Sequence, residues 1–464
     1  MSAPLWTSAE IAQAVNGRQS GPDFAAQGVA IDSREVSAGD LFVALSGARD
    51  GHAFVPAALE AGAAGSLASQ PVAGGAIIAA DTLVALIDLG AAARERAPSA
   101  RRGAITGSVG KTSVTQAVLG GLQLAGDGHG SIRSFNNHIG VPLTLARMPR
   151  TTRRAVFEMG MNHAGEIAPL SRLVRPHAVA ITNVEAVHVE NFADGEAGVA
   201  AAKAEIFAGL EAGGTAILNA DNRWAARLGS AAKDAGARVR TFGTADGADA
   251  RLTRFSALPE GARVEARIDG VPMDYTLRQS APHWGPMSIC AILMLEALDV
   301  DLALAARALA EFEPLPGRGV VHHVVSPAGT FTLVDESYNA SPVSVTAALR
   351  ALGARPANGR RIAALTDMLE LGDAAPARHA ALAEPIEDSG VDLAFCAGPL
   401  MRSLWEALPS DRRGAWAPSA AELAPCLVQA VTEGDVVMVK GSKASKASLL
   451  VEALLSHRTR EGVG

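Results

Sequence analysis

The residues best suited to chemistry in this chain form the segment Thr106-Gly107-Ser108-Val109-Gly110-Lys111-Thr112-Ser113. It follows a short apolar run and precedes a helix-like segment at residues 114–124. A glycine-rich turn between a strand and a helix presents consecutive backbone N–H groups to an anion. Lys111 can reach terminal phosphates, and the Thr112 hydroxyl can ligate the accompanying Mg²⁺. The segment therefore predicts a nucleoside triphosphate site, and the alternative is a glycine-rich turn with a surface lysine.

Three further polar residues follow at positions that could complete such a site. Glu158 ends a predicted strand at residues 155–158, where a carboxylate can supply the hard oxygen that Mg²⁺ prefers, or simply lie at the rim. His188 follows a second strand at 178–184, and a lone histidine there is more often structural than a ligand. Lys203 lies in an alanine-rich helical stretch, where composition alone indicates an ordinary solvated lysine.

Two segments late in the chain are also candidates for binding. Arg318, within Pro-Gly-Arg-Gly, could reach a phosphate across a cleft, or it could form an inter-domain salt bridge. The run Asp335-Glu336-Ser337-Tyr338-Asn339-Ala340-Ser341-Pro342 is typical of a binding loop. Its alternative is a polar strand-to-helix connection in which Ser341-Pro342 starts the helix.

The elements that must position these residues alternate between strand-like and helix-like runs, which predicts an α/β protein with parallel sheets covered by helices. With 464 residues the chain is too long for one core, and we expect three α/β domains. Period-two alternation over 264–271 with Asp-Gly at its end predicts a hairpin on the central sheet. Residues 91–102 indicate a terminal helix and linker. The expected domains are 1–98, 99–314 and 315–464.

Composition limits the classes of partner and compartment. The net charge of -7 argues against a nucleic-acid surface, which needs a basic face. The three cysteines are far apart in apolar surroundings, which favours buried thiols in a reducing compartment. The N-terminus lacks the pattern of a signal peptide, and no apolar run is long enough to cross a bilayer. We expect a cytoplasmic protein without membrane insertion and without a nucleic-acid partner.

Several motifs in one order resemble the Mur ligases of peptidoglycan synthesis, over nearly the whole chain. The phosphate loop by itself marks only a superfamily, whereas the segments at 136–142, 335–342 and 367–372 are more specific. The short form of the loop, with isoleucine at position 105, also fits this family. The motifs that carry the resemblance lie at residues 32–34, 39–42, 50–52, 107–113, 136–142, 158–160, 165–167, 219–222, 335–342, 367–372 and 440–442.

The resemblance implies an N-terminal domain that binds a UDP-sugar peptide, a central ATPase-like domain, and a C-terminal Rossmann-like domain that binds the incoming amine. It implies that UDP-N-acetylmuramoyl-tripeptide, activated by ATP as an acyl phosphate, is joined to D-alanyl-D-alanine by a monomer. The implied catalytic residues are Lys111, Lys203, His188 and Glu158. Two Mg²⁺ ions are implied, held by Thr112, Glu158, His188 and a carbamylated Lys203. The implied nucleotide contacts are Gly107, Ser108, Val109, Gly110, Lys111, Thr112, Ser113, Arg318 and Asp335, the last at the ribose. The implied substrate contacts are Asp32, Ser33, Arg34, Asn136, Asn137, Tyr338 and Asn339.

The chain departs from the family pattern where adenine is usually held. Trp284 and Met287 stand where asparagines are expected, and we predict that Trp284 stacks on the base. The rival interpretations are a sibling ligase that adds a diamino acid, a folylpolyglutamate synthetase, and a nucleotide switch without catalysis. The chain lacks the Asp-Asn-Pro-Arg motif of diaminopimelate-adding ligases. A switch would not need Glu158, His188, Lys203 and Lys111 together.

Overall fold

The computed structural model describes residues 3–47, 49–126, 128–132, 134–185, 189–258 and 261–457. Over these ranges the chain forms sheets of five, nine and six strands, in that order along the sequence, and a two-stranded pair near its start. Helices cover the sheets, so the predicted α/β class with three successive sheets is confirmed. None of the helices in the described part is both long and apolar enough to span a membrane.

The N-terminal part contains the five-stranded sheet β2-β7-β6-β5-β4, in which only the β2–β7 pair is antiparallel. The first and third strands form the separate pair. Single-turn 3₁₀ helices lie at Ser33–Glu35 and Gly51–Phe54. The bounds are β1 Trp6–Thr7, β2 Arg18–Ser20, β3 Ala25–Ala26, β4 Gly28–Ala30, β5 Asp40–Val43, β6 Gly65–Ala68, β7 Ala76–Ile78, α1 Ser8–Ala14, α2 Val55–Glu60 and α3 Thr82–Glu95.

The central nine-stranded sheet has the order β16-β15-β14-β13-β12-β11-β8-β10-β9, parallel from β9 to β14 and antiparallel beyond. The predicted hairpin is confirmed: Asp269 and Gly270 both have positive φ, as a two-residue type I′ turn requires. The bounds are β8 Arg101–Thr106, β9 Gly128–Gly130, β10 Arg154–Glu158, β11 Ala178–Ile181, β12 Thr215–Asn219, β13 Arg238–Gly243, β14 Ala250–Leu258, β15 Gly261–Ile268, β16 Val271–Leu277, α4 Lys111–Leu124, α5 Gly140–Ala146, α6 Ile167–Val174, α7 Glu196–Ala204, α8 Ala225–Asp234, α9 Trp284–Ala297 and α10 Leu302–Glu311, with 3₁₀ turns Val189–Asn191 and Glu205–Gly209.

The C-terminal six-stranded sheet has the order β17-β18-β22-β19-β20-β21, and only β17 is antiparallel. Its first long helix starts as predicted, with Ser341 as N-cap and Pro342 at the first helical position. The bounds are β17 Val320–Ser326, β18 Gly329–Glu336, β19 Arg361–Thr366, β20 Leu393–Ala397, β21 Arg413–Ala417, β22 Val436–Lys440, α11 Pro342–Gly353, α12 Ala375–Ala380, α13 Ala383–Asp388, α14 Met401–Ala407, α15 Ala420–Ala430 and α16 Ser448–Ser456, with 3₁₀ turns Gly372–Ala374, Ser410–Arg412 and Lys443–Ser445.

Two local expectations differ from the structure. The helix expected within 91–102 ends at Glu95, and residues from Arg101 onward already belong to β8, because the apolar run 103–105 is buried in the middle of the central sheet. Cys290 and Cys396 are buried as expected, but Cys426 is exposed because it lies on the outer face of α15. The domain limits 98/99 and 314/315 remain predictions, and each large sheet lies inside one of the predicted ranges.

Candidate active site

The phosphate loop connects the end of β8 to the start of α4, which begins at Lys111 itself. Two glycines shape it. A Cβ at Gly107 would lie 2.0 Å from the Thr182 hydroxyl oxygen, so only glycine allows the loop to pack against the end of β11. Gly110, the N-cap of α4, has φ 85, a left-handed conformation that favours glycine. The loop therefore leaves its N–H groups at a helix N-terminus, as an anion site requires.

Lys111 lies folded over its own loop. Its ammonium Nζ donates hydrogen bonds to the carbonyl oxygens of Gly107 at 2.7 Å and Ser108 at 3.3 Å. Burial lowers its pKa, the carboxylate of Glu158 opposes that shift, and the positive charge of Arg318 adds to it. Glu158 ends β10 of the central sheet and Arg318 precedes β17 of the C-terminal sheet, so the structure brings Lys111, Glu158 and Arg318 together.

Glu158 is a fully buried carboxylate at the end of β10, next to β8 in the sheet. Its Oε1 accepts a hydrogen bond of 2.7 Å from the amide Nδ2 of Asn136. Its Oε2 is buried and has no hydrogen-bond partner among the described residues. A buried carboxylate oxygen without a donor is costly unless a cation or a ligand completes its contacts. Glu158 therefore fits a metal ligand better than a rim glutamate.

Lys203, near the end of α7, is buried rather than solvated. Burial lowers its pKa well below the ordinary value, and the nearby charge of Lys111 lowers it further. Within the part of the chain that the structure describes, its amine has no ion-pair or hydrogen-bond partner. Burial of this kind favours the neutral form of a lysine amine, which is the nucleophilic form.

The metal set predicted from the sequence is only partly visible. His188 lies outside the described residues, and no group of three histidine, cysteine, aspartate or glutamate side chains forms a cluster within the described ranges. The donors that the structure does place here are the Thr112 hydroxyl, the free oxygen of Glu158 and the amine of Lys203. An unmodified amine would not ligate Mg²⁺, whereas an oxygen-bearing derivative of it would suit that ion.

Thr112 is connected to the C-terminal sheet through one serine. Its hydroxyl lies 3.2 Å from the hydroxyl of Ser134, and that hydroxyl lies 2.8 Å from the phenolic oxygen of Tyr338. The guanidinium of Arg318 lies 4.0 Å above the centre of the Tyr338 ring. Tyr338 thus contacts the central sheet with its hydroxyl and holds a cation that faces the phosphate loop.

Asp335 is buried near the end of β18, and its carboxylate accepts hydrogen bonds from the turn that contains Arg318 and from Ser337. One of its oxygens accepts from the Gly317 N–H at 3.0 Å, and the other accepts from the Ser337 N–H and hydroxyl at 3.1 and 2.6 Å. These contacts secure the turn that carries Arg318. Asp335 itself does not line the cavity, so the contact with a ribose implied by the resemblance remains a prediction.

A cavity of about 260 Å³ lies between the central and C-terminal sheets. Lys440, at the end of β22, donates to the backbone carbonyl of Asn339 at 3.0 Å and pairs with Glu336 at 3.4 Å. The predicted site residues that line the cavity are Ser108, Val109, Gly110, Lys111, Thr112, Ser113, Arg318, Tyr338 and Asn339. Glu336 of the predicted binding loop and Lys440 of the motif at 440–442 also line it, as do three residues that the sequence analysis did not select, Glu185, Gln279 and Arg355.

The predicted substrate residues of the N-terminal part do not line this cavity. Asp32 caps its short helix, and its carboxylate pairs with the exposed guanidinium of Arg34 at 2.5 Å, which holds the pKa of Asp32 at about 2. Ser33 is the first residue of the same turn. A substrate contact of this loop stays a prediction, and it would need a ligand that extends well beyond the nucleotide cavity.

The loop at 134–140 connects these separate regions. Phe135 and Ile139 pack against the core of the N-terminal sheet, whereas Asn136 between them reaches Glu158. Asn137 accepts from the N–H groups of Ile139 and Gly140 and so starts α5. Both asparagines have structural partners, and their predicted contact with substrate is not tested by these bonds.

Sequence reasoning did not pair Glu336 with Lys440, and it missed Gln279 altogether. Glu336 and Lys440 are partners in the parallel β18–β22 register, and their order along the chain does not show that the two strands are neighbours. Gln279 lies in a short connection between β16 and α9 with no motif around it. Glu336 and Lys440 themselves belong to segments that the sequence analysis selected, the binding loop at 335–342 and the motif at 440–442.

Three models of protein families match the chain. The Mur ligase middle domain matches residues 105–285, the Mur ligase glutamate ligase domain matches 322–443, and the Mur ligase family catalytic domain matches 25–85. The chain is 33% identical to UDP-N-acetylmuramoyl-tripeptide–D-alanyl-D-alanine ligase of Escherichia coli (strain K12), over 98% of this chain and 99% of that protein.

Solved structures agree in fold. The MurF structure from Acinetobacter baumannii has a TM-score of 0.85 at 26% identity and covers 97% of this chain and 99% of that one. The MurF ligase from Thermotoga maritima, solved in complex with ADP, has a TM-score of 0.76 at 22% identity, over 93% of this chain and 97% of that one. The second likeness concerns the fold alone.

Proposed function

Because the chain belongs to the Mur ligase family, we propose that it joins D-alanyl-D-alanine to UDP-N-acetylmuramoyl-tripeptide with ATP, releasing ADP and phosphate. The observation that carries the proposal is the cavity lined both by Lys111, at the start of α4 in the central part, and by Arg318, in the turn before β17. The full-length relative from Escherichia coli bears the name of this ligase. The product is a precursor of peptidoglycan, and we propose that the enzyme acts as a cytoplasmic monomer.

The reaction has two steps. A carboxylate oxygen of the tripeptide attacks the γ-phosphorus of ATP, the bond to the β-phosphate oxygen breaks, and ADP leaves. The amine of the dipeptide then attacks the carbonyl carbon of the acyl phosphate, loses its proton, and phosphate departs with the electron pair of the broken C–O bond. The N–H groups of residues 107–113 hold the phosphates, while Lys111 and Arg318 stabilise the charge that moves between oxygens. Mg²⁺, when bound, would supply further neutralisation of the phosphate oxygens.

The proposed metal site is built from side-chain oxygens that can still accept a ligand contact. We propose that Thr112 and Glu158 contribute oxygen ligands to one Mg²⁺, because Glu158 Oε2 is buried and has no donor within the described residues. Asn136 orients that carboxylate through its bond to Oε1. His188 is assigned to the second Mg²⁺ by the resemblance alone.

We propose that Lys203 is carbamylated. Its buried amine has no partner among the described residues and a strongly lowered pKa, which favours attack on carbon dioxide. The nitrogen forms a bond to the carbon of CO₂ while the electron pair of one C=O π bond moves to oxygen, and the nitrogen loses a proton, so the amine becomes an anionic carbamate. That change supplies the oxygen ligand that this position otherwise lacks.

The C-terminal domain would bind the dipeptide, and the N-terminal loop at Asp32, Ser33 and Arg34 would receive the UDP-sugar peptide. Asn136, Asn137, Tyr338 and Asn339 are proposed as further substrate contacts. Asp335 would serve the nucleotide by holding the turn of Arg318.

Phosphate release from ATP, measured with UDP-N-acetylmuramoyl-tripeptide, tests the proposal. We expect release that depends on D-alanyl-D-alanine and is absent with D-alanine, lysine or glutamate alone. Lys111→Met is expected to abolish it, while Lys233→Met, a change at an exposed lysine of α8, leaves it intact. Release that depends on a single amino acid, or on no amine at all, would contradict the proposed reaction.

A further inference from the structure

One end of the cavity carries a polar group without a partner. Gln279 lies between β16 and α9, its side chain is 4% exposed, and it lines the cavity. Its Oε1 is buried and has no hydrogen-bond donor among the described residues. An unpaired buried carbonyl oxygen weakens a fold unless a ligand supplies the donor.

The orientation of this amide is determined by its other end. Nε2 of Gln279 donates a hydrogen bond of 2.8 Å to the backbone carbonyl of Phe312. A carbonyl accepts and cannot donate, so rotation of the amide by half a turn would place two acceptors together. Gln279 therefore offers an acceptor at Oε1 and cannot readily exchange it for a donor.

The surroundings of Gln279 suit a flat, mostly apolar ring. Trp284 packs on Phe312 with ring centres 5.7 Å apart, and it lines the same end of the cavity. The facing wall is a row of small residues on α11, Ala347 and Ala351. Arg355, just beyond the C-terminal end of α11, donates from its guanidinium to the Ser280 hydroxyl at 2.7 Å, which joins the two walls.

This end is continuous with the phosphate loop along one helix. Met287, one turn after Trp284 on α9, lies against the loop, since a Cβ at Gly110 would be 3.0 Å from its sulfur. The phosphate groups and the amide of Gln279 are therefore at two positions of a single cavity. A nucleoside triphosphate held by the loop can extend its base toward Gln279.

We propose that Oε1 of Gln279 accepts a hydrogen bond from the exocyclic amino group at C6 of adenine, and so makes the enzyme select ATP over triphosphates of 6-oxo purines. Adenine brings a donor at C6, whereas hypoxanthine and guanine bring an oxygen that would face Oε1 without a shared proton. The inference rests on the proposed use of ATP and adds the residue that determines the choice of base.

The test compares three triphosphates in the ligation assay: ATP, purine riboside triphosphate with hydrogen at C6, and inosine triphosphate with oxygen at C6. For the native enzyme we expect kcat/KM to fall about tenfold with purine riboside triphosphate and further with inosine triphosphate. In Gln279→Leu we expect the KM for ATP to rise about tenfold and all three nucleotides to be used within about twofold of one another. Gln123→Leu, at an exposed glutamine of α4, is the matched control and keeps the native preference.

If Gln279 had a purely structural role, Gln279→Leu would lower kcat/KM equally for all three triphosphates and keep the preference for ATP. That result would overturn the inference. Equal use of ATP and purine riboside triphosphate by the native enzyme would overturn it as well, and needs no variant. Calorimetric titration with ADP, inosine diphosphate and purine riboside diphosphate repeats the comparison without catalysis. If ligation is absent but ADP binds at least about fivefold tighter than the other two, the proposed reaction fails while the role of Gln279 stands.

Discussion

The phenolic oxygen of Tyr338 lies 2.8 Å from the hydroxyl of Ser134, and this hydrogen bond joins the segment after β18 to the loop at 134–140. Ser134 in turn lies 3.2 Å from the Thr112 hydroxyl. The position of the C-terminal domain is thus coupled to the residue proposed to hold the metal. The same tyrosine ring supports Arg318.

Removal of the Tyr338 hydroxyl should break its hydrogen bond to Ser134 while the aromatic ring keeps its contact with Arg318. We expect Tyr338→Phe to lower kcat/KM for ATP about three- to tenfold, the usual value of one hydrogen bond, with little change in thermal stability. Steady-state kinetics of Tyr338→Phe, Ser134→Ala and the double variant check this, and the two losses should not add. Tyr275→Phe, which removes a buried phenol bond within the central domain, should instead lower Tm and spare the KM for ATP.

Replacement of the Glu158 carboxylate by an amide should impair Mg²⁺ binding while the protein still folds. In EDTA we expect Glu158→Gln to leave the free energy of unfolding within about 1 kcal/mol of the native value, because removal of a buried charge is offset by the lost attraction to Lys111. Its kcat should fall at least about 100-fold, and the Tm increase on adding Mg²⁺ and ADP should disappear. Denaturant titration and thermal shift measure both. Glu452→Gln, at an exposed glutamate, is the control and should keep the Mg²⁺-dependent increase in Tm. If Glu158→Gln also keeps this increase, Glu158 is not a metal ligand.

Carbamylation of Lys203 is directly observable. Protein equilibrated with ¹³C-bicarbonate should show a carbamate carbon resonance that is absent from Lys203→Met and present in Lys233→Met. Activity of Lys203→Met should be at least about 100-fold lower, because a metal ligand is lost. A fully active native enzyme without the resonance would show that Lys203 acts as an amine.

Asp335→Asn should weaken nucleotide binding through the turn of Arg318. The substitution keeps one acceptor oxygen and loses the charge that holds the Gly317 N–H and Ser337, so we expect a KM for ATP about fivefold higher. The loss should be equal for ATP and 2′-deoxy-ATP. A loss confined to ATP would instead demonstrate the direct contact with the ribose that the resemblance implies.

His177 should make the protein sensitive to acid. Burial and the charges of Arg102 and Arg101 lower its pKa to about 4, and its Nδ1 accepts from the Arg102 N–H at 3.1 Å. The folded state therefore holds the ring neutral, and its contribution to stability is full above pH 6.5 and is lost as the pH falls toward 4. We expect this loss to be on the order of 2 kcal/mol, less than the whole shift because solvent screens a partly exposed ring.

Denaturant unfolding between pH 7 and pH 4 checks the acid sensitivity. His177→Gln retains an acceptor for Arg102 and should lose less stability over this range than the native chain. His138→Gln, at an exposed histidine, should follow the native curve. Parallel curves for all three proteins would show that His177 does not titrate in this window.

The fold class and the phosphate loop could be predicted because both depend on local patterns. Apolar runs of strand length and the glycines at 107 and 110 each describe their own surroundings, and the structure confirms them. The family is predicted from short motifs that follow one another along the chain in the same order as in that family, and the comparisons confirm it. The start of β8 could not be predicted in this way. The expected helix and linker at 91–102 overlaps β8 at Arg101 and Arg102, because burial in the sheet decides where a strand begins.

The side-chain environment of each site residue depended on distant parts of the chain. Composition indicates a solvated Lys203, but its helix packs that face inward, and burial lowers the pKa of the amine well below the ordinary value. The contact of Asp335 with a ribose stays a prediction, and only the fold shows that its carboxylate bonds the N–H of Gly317 and the backbone and hydroxyl of Ser337. Gln279 has no motif, and only the carbonyl of Phe312 makes its free oxygen an acceptor of defined direction.

The sequence by itself determined the α/β class, the phosphate loop and the family, since these are written in adjacent residues and in their order. The tertiary structure alone decided which charges are buried, which polar atoms lack partners, and which side chains of the two sheets share one cavity. The reason is physical: spacing along the chain specifies backbone geometry, whereas desolvation and hydrogen-bond satisfaction depend on what packs against a group from elsewhere. For the loop at 107–113, the sequence indicated a phosphate site, and only the fold placed Arg318, Tyr338 and Gln279 around it.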